Sequence, residues 1–187
     1  IDTELFAPSV SPDTTDIKAL PNVLYTGNVI ASKGIGDVVE ALTHVATPIR
    51  LVLCGNGSKD YIAELSESLR KSKRNSMHVL EWRGALGREE LINEYQSADV
   101  FVFCSSSEGL GKSLIEAMAC GLPVVVSDIP PFKEIVKNGE NGLMIPAGSS
   151  SGIASAIERY LNNSDLSEYC GQKARQTILN KFSKKSE

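Results

Sequence analysis

The chain is 187 residues long, 42% hydrophobic and 22% charged, with a net charge of -4, which is the profile of one ordinary globular domain with a sizeable core. A nucleic-acid groove has little electrostatic support, because the basic clustering is confined to residues 70–74, which read as the solvated end of a helix carrying cations near its C-terminus. No apolar run approaches the roughly 20 residues that a bilayer span needs, and no signal-peptide pattern opens the chain.

Residues 1–21 carry three prolines and no sustained period, so they read as a linker or arm, and the chain reads as part of something longer. Residues 23–30 (VLYTGNVI) are strand-like, ASKGIG turns the chain, and 37–45 have helical spacing. A strand at 49–54, a GNGS turn, a helix at 61–71 and a strand at 77–82 follow. After a loop at 83–87 come a third helix at 88–98 and a fourth strand at 100–104. Beyond the glycine-rich segment 105–111 a helix opens near Lys112, and a strand at 123–127 leads to a short helix at 132–136. The turn NGENG, a brief strand at 143–145 and helices at 151–161 and 166–182 complete the chain. Strand and helix alternate throughout, which predicts an α/β fold, a doubly wound, Rossmann-like six-stranded parallel sheet ordered 3-2-1-4-5-6 with helices on both faces. Its ligand crevice lies where strands one and four are neighbours, so Lys33 in the first loop and Glu108 in the fourth are expected to face one another.

The stretch FVFCSSSEGLGKSLIEAMACGLPVVVSD combines a buried strand, a glycine loop, a helix start and a second buried strand. These are the parts of an anion site, because the first amides of a helix lack intrahelical acceptors and point at whatever precedes them. Glu108 and Glu116 frame that site with seven residues between them. A bare carboxylate repels a phosphate, so each glutamate is better explained as accepting hydrogen bonds from hydroxyl groups that flank a diphosphate. Taken singly, Glu108 reads as a solvated loop acid, Glu116 as an exposed helix residue and Lys33 as a surface lysine at a turn. The string that joins them supports the functional reading. The ending GKS also imitates a nucleotide-triphosphate loop, with Val124 to Asp128 as its acidic strand, but Ser106 stands where that motif asks for glycine and Glu108 would add a negative charge to the cradle. The four cysteines, Cys54, Cys104, Cys120 and Cys170, have no metal-ligand spacing and read as small core residues in a reducing compartment. The expected localisation is cytoplasmic, with peripheral membrane contact left open.

Taken together, GNVIASKG, LVLCGNG, EGLGKSLIEAMACGLPVVVSD and NGENGLMI resemble the C-terminal domain of a GT-B retaining glycosyltransferase of the glycogen-synthase and phosphatidylinositol-mannosyltransferase type, glycosyltransferase family 4 (group 1). The resemblance implies that residues 1–21 follow an interdomain hinge, that residues 22–187 bind the donor, and that the acceptor-binding N-terminal domain is absent from this chain. It gives Lys33 the diphosphate, Glu108 the hydroxyls of the sugar and Glu116 the ribose hydroxyls. The amides of Gly111, Lys112 and Ser113, with Gly109 beside them, would support the phosphate oxygens, and the segment near Arg83 and Leu86 would hold the base. Asn28 stands where many members carry arginine, and Pro130 and Pro131 stand where a glycine pair is frequent. The expected partner is a UDP-, GDP- or ADP-sugar, with no metal or other cofactor required and no nucleic acid. The alternatives are a nucleotide-sugar-binding module without transferase activity and the phosphate-loop NTPase.

Overall fold

A computed structural model describes residues 1–9, 20–72 and 77–182. Residues 10–19 of the expected arm, the 73–74 portion of the basic cluster and residues 183–187 lie outside the described residues. Strands β1 (Asn22–Thr26), β2 (Arg50–Cys54), β3 (Val79–Gly84), β4 (Val100–Phe103), β5 (Val124–Ser127) and β6 (Leu143–Ile145) form a parallel sheet in the order β3-β2-β1-β4-β5-β6, as the βα alternation predicts. The central strands are apolar at nearly every position, because a parallel sheet is covered on both faces. All four residues of β4, and all four of β5, are buried.

The covering layers follow from chirality. Helices α1 (Ile35–Leu42) and α2 (Lys59–Lys71) carry the chain outward from β1 to β3, whereas α3 (Arg88–Ser97) and α4 (Lys112–Ala119) carry it back through β4 to β5. Right-handed crossovers running in opposite directions must lie on opposite faces. Accordingly α1 packs against α2 and α6 (Ser150–Leu161), and α4 packs against α7 (Ser164–Phe182). Helix α1 buries Ile35, Val38, Val39 and Leu42, the spacing of a single apolar stripe.

Several boundaries differ from the sequence expectation, each for a local reason. The strand expected at 23–30 ends at Thr26, because Gly27 turns the backbone at φ 141° and Val29 donates its amide to Asn56, outside the ladder. The Tyr25 hydroxyl pins this turn by donating to the Asn28 carbonyl at 2.9 Å. Helix α1 starts at Ile35, not 37, after a short 3-10 turn at Ala31–Lys33. The expected strand 77–82 is shifted to 79–84, so Arg83 belongs to β3 and not to a loop, and the Gly84 carbonyl is taken by the Gly55 amide at 2.7 Å. The short helix α5 (Pro130–Lys133) begins at Pro130, not 132. Proline is tolerated there because the first helical amides have no intrahelical acceptor to lose.

Residues 1–9 contain no helix or strand, yet they lie against the domain. Phe6 is 5% exposed. Arg175 of α7 donates to the carbonyls of Phe6, Thr3 and Ala119, and Gln96 donates to the carbonyl of Ala7. The four cysteines are free and buried, and burial pushes the thiols of Cys54, Cys104 and Cys120 up to about 12. Among the described residues no helix is long and apolar enough to cross a membrane.

Candidate functional site

The loops that follow β1 and β4 share a rim because their strands are neighbours, and one glycine lets their backbones touch. Gly34 adopts φ 72°, and a Cβ added there would lie 2.2 Å from the carbonyl oxygen of Cys104 at the end of β4. Glycine alone allows so close an approach of backbone to backbone. The approach brings the side chains of Lys33 and Glu108 together across 75 residues of sequence, with Nζ 2.7 Å from Oε1. Both are partly buried, at 26% and 12% exposure. The loop that presents Glu108 is folded on itself by Ser105, whose hydroxyl donates to the Ser107 carbonyl at 2.8 Å. An ammonium has three donors, and Glu108 engages one of them, so an anion that reaches Lys33 meets the Glu108 carboxylate beside it.

Four residues after Glu108 the helix α4 begins. Its N-cap, Gly111, adopts φ 66° and is buried, and a Cβ added there would lie only 3.2 Å from the Phe132 ring. The amides of Lys112 and Ser113 follow as the first of the helix, free of intrahelical acceptors. Gly109 is open, since a Cβ there would meet nothing within 4 Å, so space does not demand glycine at that position. Asn28 is exposed in the turn after β1.

Glu116 is 6% exposed, and it is a buried charge in a helix that otherwise buries Leu114, Ile115, Ala117, Met118 and Ala119. The expectation that Glu116 taken alone would be a solvated helix residue therefore fails. A buried carboxylate must be hydrogen-bonded to persist, and Tyr95 of α3 donates its hydroxyl to Oε2 at 3.0 Å. The other oxygen lies 3.7 Å from the ammonium of Lys112, one helical turn away and 88% exposed. Lys112 thus turns towards Glu116. The phosphate-loop imitation asks instead for a lysine among the loop amides.

Glu116, Lys112, Leu110 and Leu86 line a groove of about 950 Å³ together with Ile1, Thr3 and Phe6 of the N-terminal segment, and Lys33 and Glu108 are not among its lining residues. That volume falls within the range of small-molecule sites, roughly 300–1,000 Å³. Leu86 belongs to the groove, whereas Arg83 makes ion pairs with Glu81 at 3.1 Å and Glu94 at 3.4 Å and is not among the lining residues. Sequence reasoning missed three contributors, namely Tyr95, its partner Thr26, and the N-terminal segment. The signal available for Tyr95 was its place on the buried stripe of α3 with Ile92. Among the described residues no group of three or more His, Cys, Asp or Glu could hold a metal ion.

Comparison with known proteins places this geometry in a family. The chain is 30% identical over 164 residues to an uncharacterized glycosyltransferase of Methanocaldococcus jannaschii, covering 86% of this chain and 41% of that protein. The crystal structure of the C-terminal domain of LpcC, a glycosyl transferase group 1 family protein of Francisella tularensis, superposes with a TM-score of 0.85 at 22% identity over 98% of both chains. Anabaena HepE in complex with UDP-glucose superposes at 0.84 with 21% identity, covering 98% of this chain and 52% of that one. These two likenesses are likenesses of fold, the Rossmann-like half of a GT-B architecture. The chain spans about two fifths of the length of the curated relative it matches. The family model of the glycosyl transferases group 1 matches residues 13–177, and the chain belongs to that family.

Proposed function

We propose that this chain is the donor-binding half of a retaining glycosyltransferase, which moves a sugar from a nucleoside diphosphate to a hydroxyl acceptor. The observation that carries the reading is the 2.7 Å meeting of Lys33 with Glu108 at the point where the strand order reverses. Ligands of open α/β sheets bind at that point. On this reading the diphosphate takes the Lys33 ammonium and the amides of Gly111, Lys112 and Ser113. Glu108 accepts from hydroxyls of the sugar, Glu116 accepts from the ribose, and Leu86 lies beside the base. Gly109 lies beside the phosphates with its amide, and Asn28 offers a neutral donor where many members have arginine. Arg83, whose guanidinium pairs with Glu81 and Glu94, would offer the base chiefly its backbone.

In the reaction the bond between the anomeric carbon and the phosphate oxygen breaks, and its electron pair stays on the diphosphate. The acceptor oxygen attacks from the same face, and its proton passes to the departing phosphate. The chain contributes positioning and charge, since Lys33 and the helix start oppose the negative charge that develops on the leaving group. No metal is required for that role. A preceding domain would supply the acceptor site. The reading places the full protein in the cytoplasm, where free thiols such as these four persist, and peripheral membrane contact would follow from a lipid acceptor.

A thermal-shift panel of UDP-, GDP- and ADP-sugars, run with and without a chelator, tests the reading. HepE, a fold neighbour, is solved with UDP-glucose, which makes UDP-sugars the first donors to try. One nucleotide class should raise the unfolding temperature, with no effect of the chelator. Stabilisation by ATP that needs magnesium and disappears in Lys112→Ala would support the phosphate-loop reading instead.

A further inference from the structure

We infer that Tyr95 is a positioning residue for the donor ribose, its hydroxyl holding one oxygen of Glu116 so that the other is aimed at the ribose hydroxyls. The inference rests on the role of Glu116 given above and adds the group that makes that role possible.

The direction of each hydrogen bond follows from counting protons. An ionised carboxylate only accepts, so in the 3.0 Å contact Tyr95 donates to Oε2 of Glu116. A phenol has one proton. The 2.6 Å contact between Tyr95 and Thr26 must therefore run the other way, with the Thr26 hydroxyl donating to the Tyr95 oxygen. The Ser113 carbonyl, at 3.3 Å, is the more distant and uncharged claimant for the same tyrosine proton. Burial, and then the negative charge of Glu116, raise the Tyr95 phenol well above its ordinary range, so it remains a donor.

The chain Thr26 to Tyr95 to Glu116 joins the last residue of β1, the interior of α3 and the middle of α4. Tyr95 is fully buried, with its ring edge-on to Phe6 at 6.1 Å and tilted against Phe101 at 5.9 Å. Walls of this kind hold the phenol in one orientation, so Oε2 is committed before any ligand arrives. Oε1 remains on the side of the exposed Lys112. A carboxylate fixed by one oxygen presents the other in a constant direction, which a pair of vicinal hydroxyls can read.

The test titrates UDP, GDP and ADP into the chain and carries the tightest binder forward with its 2′-deoxy and 3′-deoxy forms. Wild type should prefer the ribonucleotide, and Tyr95→Phe should weaken its binding roughly tenfold while changing the deoxy forms little, as loss of one charged hydrogen bond implies. Thr26→Val, which keeps the volume and removes the upstream donor, should shift the same preference by a few-fold. A tyrosine that only filled space would lower the unfolding temperature without altering this preference. If Tyr95→Phe retains the wild-type ribose preference while Glu116→Ala loses it, the role of Tyr95 is overturned and the donor-site reading stands. Should Tyr95→Phe fail to fold, an unaltered preference in Thr26→Val overturns the role equally. Wild type without ribose preference, or without affinity for any of the three nucleotides, overturns the assignment of Glu116 and this inference together.

Discussion

The end of the site assigned to the diphosphate is made by two loops and one ion pair, whereas the end assigned to the ribose is a helical carboxylate braced from two other elements. Lys33 and Glu108 hold each other at 2.7 Å and both reach partial exposure. Glu116 is buried, and its brace runs through Tyr95 to Thr26 at the end of the central strand. The difference separates two ways of meeting a ligand. At the first end an incoming phosphate competes with Glu108 for the Lys33 ammonium, so its net gain is the difference between two anions. At the second, the ligand finds a group already fixed by partners that it does not displace, and little ordering remains to be done.

Substitutions can break the contrast, and the largest effect is expected at the exchangeable end. On the transferase reading, Lys33→Ala should lower the rate of sugar transfer on the order of a hundredfold or more, the scale seen when one group opposing a developing charge is removed. In binding, it should cost more for the diphosphate than for the nucleoside, and equal losses would remove Lys33 from the phosphate site. Gly34→Ala attacks the same end through the backbone. The left-handed φ, and a new Cβ only 2.2 Å from the Cys104 carbonyl oxygen, should cost about 1–3 kcal/mol of stability in thermal or urea unfolding. An unchanged midpoint would show that the two loops do not depend on that contact. Glu116→Ala should weaken nucleotide binding about tenfold by calorimetry, and unchanged affinity would contradict the ribose role. Lys112→Ala should matter least, because its side chain is 88% exposed. A change in nucleotide affinity of no more than about fivefold is expected for an exposed pair, and complete loss would revive the phosphate-loop reading.

The two ends also differed in how far the amino-acid sequence disclosed them. Lys33 and Glu108 were legible because their meeting is a consequence of topology. Once β1 and β4 are neighbours in a doubly wound sheet, the loops at their ends must share a rim. The string singled out Glu116 as a candidate but not its burial, since a helix carrying Lys112 and Glu116 one turn apart looks solvated on that face until Tyr95 of α3 covers it. Tyr95 and Thr26 stayed hidden for the same reason. They lie 69 residues apart, and nothing local requires that one hydroxyl find the other. The end of β1 misled in the opposite way, because Val29 and Ile30 extend an apolar run while Gly27 has already turned the chain to cross the end of β2. At α5 the helix expected from residue 132 begins two residues earlier, because the paired prolines supply the preset φ of a first helical turn. The packing of Phe6 and the grip of Arg175 on the segment before residue 10 likewise come from tertiary contacts that polar, proline-bearing residues do not announce.

The central claim is that a diphosphate enters between Lys33 and Glu108 while the nucleoside ribose rests on Glu116. A crystal structure of the chain bound to the nucleotide sugar selected by the thermal-shift panel tests it most directly. The account predicts a phosphate oxygen within hydrogen-bonding distance of Lys33 Nζ, the Lys33–Glu108 contact opened, the Glu116 carboxylate on the ribose hydroxyls, and the Tyr95 contact unchanged. A nucleotide sugar bound elsewhere on the chain, with Lys33 still closed on Glu108 and Glu116 touching no ligand atom, would contradict it.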